Sequence, residues 1–363
     1  MTVKPLRVLV VGCGNMGAAH ARAYQGLAEF ELCGLVARGL SKADLRHQLN
    51  SNAPLYDSLS QALQETRPDA VCIATWPDTH EVLAIEALNA GCHVFIEKPL
   101  ATTVSGAQRV VDTAQRMGKQ LVVGYILRHH PAWQQFIGLA QGLGRPLVMR
   151  MNLNQQSAGV AWHTHKMLMQ SLSPIVDCGV HYLDIMCQMT SSSPLSVSAI
   201  GVRLSDEIPL SQYNYGQLQV RFADGSVGWY EAGWGPMMSQ TAFFIKDVIG
   251  PRGSISIVAQ HAGSEGQSAS VEAHTQTESL RLHHAALNAE GEFAASDEWI
   301  TVNDEPDHFA LCAREQQFLA QAITRHTDLS AHQRQAIDSL AVVLAADLAV
   351  REQRTVLLSE VLS

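Results

Sequence analysis

Residues 8–20 read Val8-Leu9-Val10-Val11-Gly12-Cys13-Gly14-Asn15-Met16-Gly17-Ala18-Ala19-His20. Four apolar, mostly β-branched residues suit a strand buried on both faces of a parallel sheet. They run into Gly-x-Gly-x-x-Gly, and a helical pattern follows with Ala18, Ala21, Ala23 and Leu27. In that setting Gly12 permits the tight turn, Gly14 lets the backbone approach a pyrophosphate, and Gly17 lets helix and strand pack closely. Asn15 and Met16 open the helix, whose free N–H groups and positive end would face the anion. Glycines are common in strand-to-helix turns; the place of these three, directly after a buried strand, is what points to a dinucleotide.

The bulk numbers set bounds around that motif. A chain of 363 residues exceeds one ordinary domain, and 47% hydrophobic content supplies a large core. A net charge of −9 argues against nucleic acid as partner, because phosphate binding needs clustered Lys and Arg. The seven cysteines form no Cys-x-x-Cys pair, which fits free thiols in a reducing cytoplasm. No apolar leader and no run of 18 apolar residues is present, so the expectation is a soluble cytoplasmic protein without a membrane partner.

Phe30 to Val36 reads as the second strand, and its end bears on cofactor choice. A carboxylate there would bind the adenosine ribose hydroxyls and favour NAD. Here Ala37 is followed by Arg38, a pairing that leans toward the 2′-phosphate of NADP. Asp69 to Ala74-Thr75 is a further buried strand, emptying into Trp76-Pro77-Asp78-Thr79-His80 at the sheet edge where such folds keep their ligands. His93 to Ile96 delivers Glu97-Lys98-Pro99 to the same edge, and Leu121 to Val123 completes the alternation. A lysine at a strand end beside a cofactor cleft can act as a general base, or it can be a surface lysine paired with Glu97. The expected architecture is a doubly wound parallel sheet over residues 1–125, followed by an α+β domain over 126–363.

Beyond residue 146 the texture changes to short alternating segments: Leu147–Leu153, Val197–Val202, Tyr215–Phe222, Val227–Glu231, Ser254–Ile257 and Ser268–Ala273. These predict one mostly antiparallel open sheet. The 260–295 stretch reads as loop or sheet edge. Two helices close the chain, the second opening at Ser330 with Gln333 as a capping-box partner. Asp177 and His181 stand four apart, hence on one helix face, with Asp184 three further on. An acid beside an imidazole can position a hydroxyl and move its proton; the bland alternative is a helix cap with a core histidine. No closed ligand spacing among His163, His165, Asp177 and His181 points to a metal.

Together these features resemble the Gfo/Idh/MocA family, named for glucose–fructose oxidoreductase and inositol dehydrogenase. The matching residues are Gly12-x-Gly14-x-x-Gly17, Ala74-Thr75 with His80, Gly91 before Glu97-Lys98-Pro99, Arg128 with Pro131, Gly142-Leu143-Gly144-x-Pro146, and Asp177-x-Gly179-x-His181-x-x-Asp184. The Asp224-Gly225 hairpin and Gly250-x-x-Gly253 continue the series. The resemblance implies a Rossmann domain binding NAD or NADP, an open C-terminal sheet that builds a homodimer or homotetramer, and a catalytic trio of Lys98, Asp177 and His181. One departure is Ser171-Leu172-Ser173-Pro174, where members often carry a glycine cluster.

The expected function is hydride transfer between a sugar or polyol hydroxyl carbon and nicotinamide. Arg128, His129, Trp162, His165 and Lys166 are candidate substrate contacts beside Asp177 and His181, and such a basic set would suit an anionic sugar. Two other readings stand beside it: an NAD-retaining, redox-neutral glycoside hydrolase using the same residues, and a cofactor-binding regulator without catalysis.

Overall fold

The computed structural model describes residues 4–239, 244–258, 268, 275, 277–303 and 305–362. The chain divides into two compact units, one of residues 1–126 with 306–337 and one of 127–305 with 338–363.

The first unit alternates strand and helix: β1 (Leu6–Val11), α1 (Asn15–Gly26), β2 (Phe30–Val36), α2 (Ser41–Gln48), β3 (Leu55–Tyr56), α3 (Leu59–Thr66), β4 (Ala70–Ile73), α4 (His80–Asn89), β5 (His93–Glu97), α5 (Val104–Met117) and β6 (Leu121–Gly124). The sheet order is β3-β2-β1-β4-β5-β6, with every pairing parallel. Val8, Leu9 and Val10 are wholly buried, as are Ala70 to Ile73 and Val94 to Ile96, because helices cover both faces of such a sheet. Register lines up Val11 with Ile73 and Ile73 with Ile96. The residues that follow, Gly12, Ala74 and Glu97-Lys98, therefore emerge side by side at the carboxyl edge, where the strand order reverses between β1 and β4.

The second unit contains α6 (Pro131–Gly142), β7 (Val148–Gln156), α7 (Gly159–Leu168), α8 (Pro174–Thr190), β8 (Pro194–Val202), β9 (Tyr215–Phe222), β10 (Val227–Gly235), β11 (Lys246–Gly250), β12 (Gly253–Val258), β13 (Ser279–His284) and β14 (Glu298–Thr301). Its sheet runs β14-β13-β12-β11-β7-β10-β9-β8-β15, antiparallel except where β7 meets β10. The chain closes with α9 (His308–Arg325), α10 (Ser330–Glu352), β15 (Val356–Leu357) and α11 (Ser359–Leu362). Among the described residues no helix is long and apolar enough to cross a membrane.

Three sequence expectations change in detail. A division at residues 125/126 misses that 306–337 fold with the first unit: Gln316 of α9 bonds both Tyr24 and His20 of α1, contacts separated by some three hundred positions of sequence. Ser330 does not form a capping box, since it already lies in the helix and the Gln333 amide reaches the Leu121 carbonyl instead. Residues 279–284, within the stretch expected as loop or sheet edge, are a strand paired on both sides. The strand expected at Ser268–Ala273 falls almost wholly outside the described residues.

Candidate active site

The turn after β1 has the geometry its glycines suggest. Gly12 sits at φ +94°, and a Cβ there would lie 2.2 Å from the Ala74 carbonyl oxygen. A Cβ on Gly17 would lie 1.8 Å from the Gly12 oxygen, so α1 packs against the turn at a distance only glycine allows. Gly14 differs: its backbone is extended, and a Cβ would meet nothing within 4 Å. Gly14 is the N-cap of α1, and no side chain caps that end. Exposed Gly14 and Asn15 and half-buried Met16 therefore frame open space in front of uncapped N–H groups, and this cradle fits a dinucleotide pyrophosphate.

At the end of β2, Ala37 is half-buried and Arg38 exposed. Sequence reasoning missed Lys42, whose ammonium returns from α2 to the Ala37 carbonyl at 2.7 Å and to Asp57 at 2.5 Å. Its signal was hidden because 41–48 was not assigned as a helix. Thr75 bonds Thr79 through their hydroxyls at 2.7 Å. His80 has no exposure. Its ring nitrogens face the Pro99 carbonyl at 2.7 Å and the Thr75 carbonyl at 3.2 Å. Burial lowers its pKa from the ordinary histidine value. His80 thus ties the β4 loop to the Lys98-Pro99 loop.

Glu97 is likewise turned inward. Its carboxylate accepts from His20 Nε2 at 2.7 Å and from the Lys98 backbone N–H at 3.2 Å. Burial alone would raise this carboxyl, but the hydrogen bond from His20, followed by the influence of Lys98, carries it below the usual value. The surface Glu97–Lys98 pair considered from sequence is therefore replaced by an internal Glu97–His20 pair, and Lys98 stands half-buried at the strand end.

In the second unit, Ser173 and Pro174 explain the departure at 171–174. Ser173 is the N-cap of α8, accepting from Val176 N–H at 3.1 Å, and Pro174 fills the first turn. Asp177 is therefore within the helix, not its cap. Of the 17 residues of α8, all are buried except Asp177, His181 and Gln188. Spacings of four and seven place these three along one helix face. Gly179, on the opposite side, lets α8 approach β10: a Cβ there would lie 2.9 Å from the Tyr230 ring.

The remaining substrate candidates are engaged within the unit. Arg128 makes a two-pronged ion pair with buried Asp184, one arm at 2.8 Å. Lys166 pairs with Glu207 at 2.5 Å, and Trp162 Nε1 donates to the same carboxylate at 3.2 Å. His165 stacks on Trp234 with ring centroids 4.4 Å apart and bonds Ser157 Oγ at 2.9 Å. Burial, only partly opposed by the charge of Asp177, pushes its pKa down to about 4. Of the basic set that suggested an anionic sugar, Arg128 is thus paired with Asp184, Lys166 with Glu207, and His165 is uncharged near neutrality. His129 lies half-buried in the short helical turn Ile126–His129.

Sequence reasoning also missed buried polar residues on both faces of the sheet. Asn152, Asn154 and Gln155 of β7 are buried, and so is Lys246. The Lys246 ammonium lies 4.5 Å from the Tyr182 ring centroid and 4.3 Å from that of Phe244, and it bonds the Asn152 carbonyl. Burial holds its pKa well below the ordinary lysine value. Its sequence signal was weak: one lysine after the apolar Phe244-Ile245.

Comparison with known proteins agrees with this geometry. Residues 6–125 match the family model described as an oxidoreductase family with an NAD-binding Rossmann fold, and residues 139–256 match the GFO/IDH/MocA C-terminal domain. The chain is 32% identical over 189 residues to D-glucoside 3-dehydrogenase of Escherichia coli K12, covering 51% of this chain and 54% of that protein. It is 32% identical over 150 residues to inositol 2-dehydrogenase of Paracoccus denitrificans, covering 40% and 44%. The chain thus matches about half the length of these curated relatives. An oxidoreductase from Agrobacterium radiobacter, solved with NAD+, L-tartaric acid and magnesium, superposes with a TM-score of 0.77 at 15% identity, covering 98% of this chain and 99% of that one. Both family models fall on this one chain in the family's order and together span well over half of it, so the chain belongs to the Gfo/Idh/MocA family.

Proposed function

We propose that this chain is a nicotinamide-dependent dehydrogenase oxidising a secondary hydroxyl of a neutral sugar or cyclic polyol. The observation that carries the reading is α8, a buried helix that leaves Asp177 and His181 accessible on one face. It gains support from the named activities of the relatives, a glucoside 3-dehydrogenase and an inositol 2-dehydrogenase. The neutral substrate class is supported by the buried pairing of Arg128 with Asp184.

In this reading the Gly12–Gly17 turn and the first N–H groups of α1 hold the pyrophosphate. Ala37 and Arg38 border the adenosine ribose, favouring a 2′-phosphate, and Ala74 and Thr75 line the sheet edge. A bound nicotinamide would supply the acceptor for the hydride of the carbinol carbon. Lys98 removes the hydroxyl proton, His181 hydrogen-bonds the reacting oxygen, and Asp177 orients the substrate by accepting from a neighbouring hydroxyl. We further read the protein as a cytoplasmic homodimer or homotetramer. Seven buried free cysteines fit a reducing compartment. Val227, Val148 and Ile249, which face one another across three adjacent strands, are 37%, 40% and 40% exposed and offer an apolar row for a second copy.

The test is a panel of polyols, sugars and nitrophenyl glycosides with NAD or NADP, following 340 nm absorbance and nitrophenolate release together. A 340 nm rise matching substrate loss, abolished in Lys98→Ala, is the expected result, and the better dinucleotide identifies the cofactor. Nitrophenolate release without a 340 nm rise would replace the dehydrogenase with the redox-neutral hydrolase. Dinucleotide binding with no turnover of any member would favour the regulator.

A further inference from the structure

Behind the Lys98 loop runs a line of buried side chains that the reaction above does not use. Tyr24 O–H donates to Gln316 Oε1 at 2.5 Å, and Gln316 Nε2 donates to His20 Nδ1 at 3.0 Å. His20 Nε2 then meets Glu97 Oε1 at 2.7 Å, and Glu97 Oε2 accepts from the Lys98 N–H at 3.2 Å.

The polarity of the line follows from its far end. A phenol donating to the glutamine oxygen leaves the glutamine N–H₂ facing Nδ1, which must then accept. The ring proton is thereby assigned to Nε2, where it donates to the carboxylate. Every link has one donor and one acceptor, and His20, Tyr24 and Gln316 have no exposure at all. In a buried setting such a chain is stiff, since a missing link leaves a polar group unpaired. His20 also packs edge-on against Phe95 of β5, with ring centroids 4.8 Å apart.

We propose that His20 and Gln316 are positioning residues for Lys98, acting through the Glu97 carboxylate that grips the Lys98 backbone N–H. The inference rests on the reading of Lys98 as the proton-transferring group. It assigns a purpose to the return of α9 to the first unit: α9 supplies Gln316, the link between Tyr24 and His20, in a line whose other members all come from residues 1–126. His20, Cys312 and Glu315 also lie close enough to be considered as metal ligands. Both His20 nitrogens are already engaged, however, and the hydrogen-bond line accounts for them.

The chain contains six lysines, so selective ¹⁵N-lysine labelling gives a sparse amide spectrum in which Lys98→Arg assigns the Lys98 signal. The variants are His20→Ala, which removes the donor to Glu97, and His20→Gln, whose terminal N–H₂ can occupy the Nε2 place. The expected result is a displaced Lys98 amide in His20→Ala and a return toward the native position in His20→Gln. Turnover of the best substrate from the panel should fall tenfold or more in kcat for His20→Ala, with KM changed less than threefold, and recover in His20→Gln. If His20→Ala does not fold, Gln316→Met breaks the next link and must move the same resonance. An unmoved Lys98 amide in a folded variant overturns the proposal, and so does loss of stability with unchanged kcat. Wild-type turnover in Lys98→Ala would instead overturn the reading of the site, whatever the amide signal does.

Discussion

Gly14 and Gly17 look interchangeable in the motif, yet the structure assigns them opposite costs when each is replaced by alanine. At Gly17 the new Cβ would stand 1.8 Å from the Gly12 carbonyl oxygen. A tolerable contact needs more than an ångström of extra room, which the buried β1–α1 packing must yield. Overpacking of this kind costs about 1–3 kcal/mol, and at about 2–4 °C per kcal/mol the melting temperature should drop on the order of 5 °C. At Gly14 the backbone is extended at φ −80° and nothing lies within 4 Å of the added carbon. Stability should change by less than about 1 kcal/mol, the preference of an N-cap for glycine over alanine. The methyl instead enters the space where a phosphate oxygen approaches the helix N–H groups. Displacing that oxygen loses a charge-assisted hydrogen bond at about 1.5–3 kcal/mol, roughly a tenfold to hundredfold rise in Kd. Thermal melts of both variants, with NADH and NADPH binding followed by fluorescence, separate the effects. Gly14→Ala binding dinucleotide like the native chain, or Gly17→Ala melting like it, would refute the assignment of these glycines.

Removing Arg128 alone strands the buried Asp184 carboxylate, so Arg128→Met should cost about 3–5 kcal/mol. The double variant Arg128→Met/Asp184→Leu should recover most of it in urea denaturation, whereas equal losses in both would mean the ion pair is not what holds Arg128. For His165, whose pKa in the folded chain is about 4, the unfolded chain binds the extra proton below about pH 6.5. Stability should therefore fall by about 3 kcal/mol between pH 6.5 and 4 on its account, and His165→Phe, which keeps the stack on Trp234, should show a shallower acid slope. Glu315 is the opposite case: burial, with the charge of Glu97 added, raises its pKa well above the usual range. The native chain then keeps a proton that the unfolded chain releases, so stability falls as pH rises past the ordinary carboxylate value. Glu315→Gln should match the native stability near pH 4 and exceed it increasingly toward pH 8, and a constant difference across that range would show that Glu315 is ionised in the fold.

What the sequence made legible depended on whether a signal was local. The β1 run and its glycines announce themselves within ten residues, because strand burial, positive φ and close helix packing each restrict residue type at a fixed spacing. Asp177 and His181 were legible for the same reason, since four residues on a helix make a face. Charges were harder, because what a charged group does depends on its partner, and partners came from anywhere in the chain. Arg128 met Asp184, Lys166 met Glu207, and Glu97 met His20, over separations of 56, 41 and 77 positions. No spacing rule announces such pairs. Within the cluster of basic residues read as an anion site, Arg128 thus joins a buried ion pair, Lys166 an exposed one, and His165 an uncharged contact with Ser157 and Trp234. Likewise Glu97, adjacent to Lys98 in sequence, accepts from its main-chain N–H while the carboxylate turns inward to His20. Lys98, Asp177 and His181 keep half-buried positions at a strand end and on one helix face, where the sequence placed them. Among the other candidates the fold assigned long-range or stacking partners that no spacing announces: Arg128 holds Asp184, and His165 stacks on Trp234 and bonds Ser157.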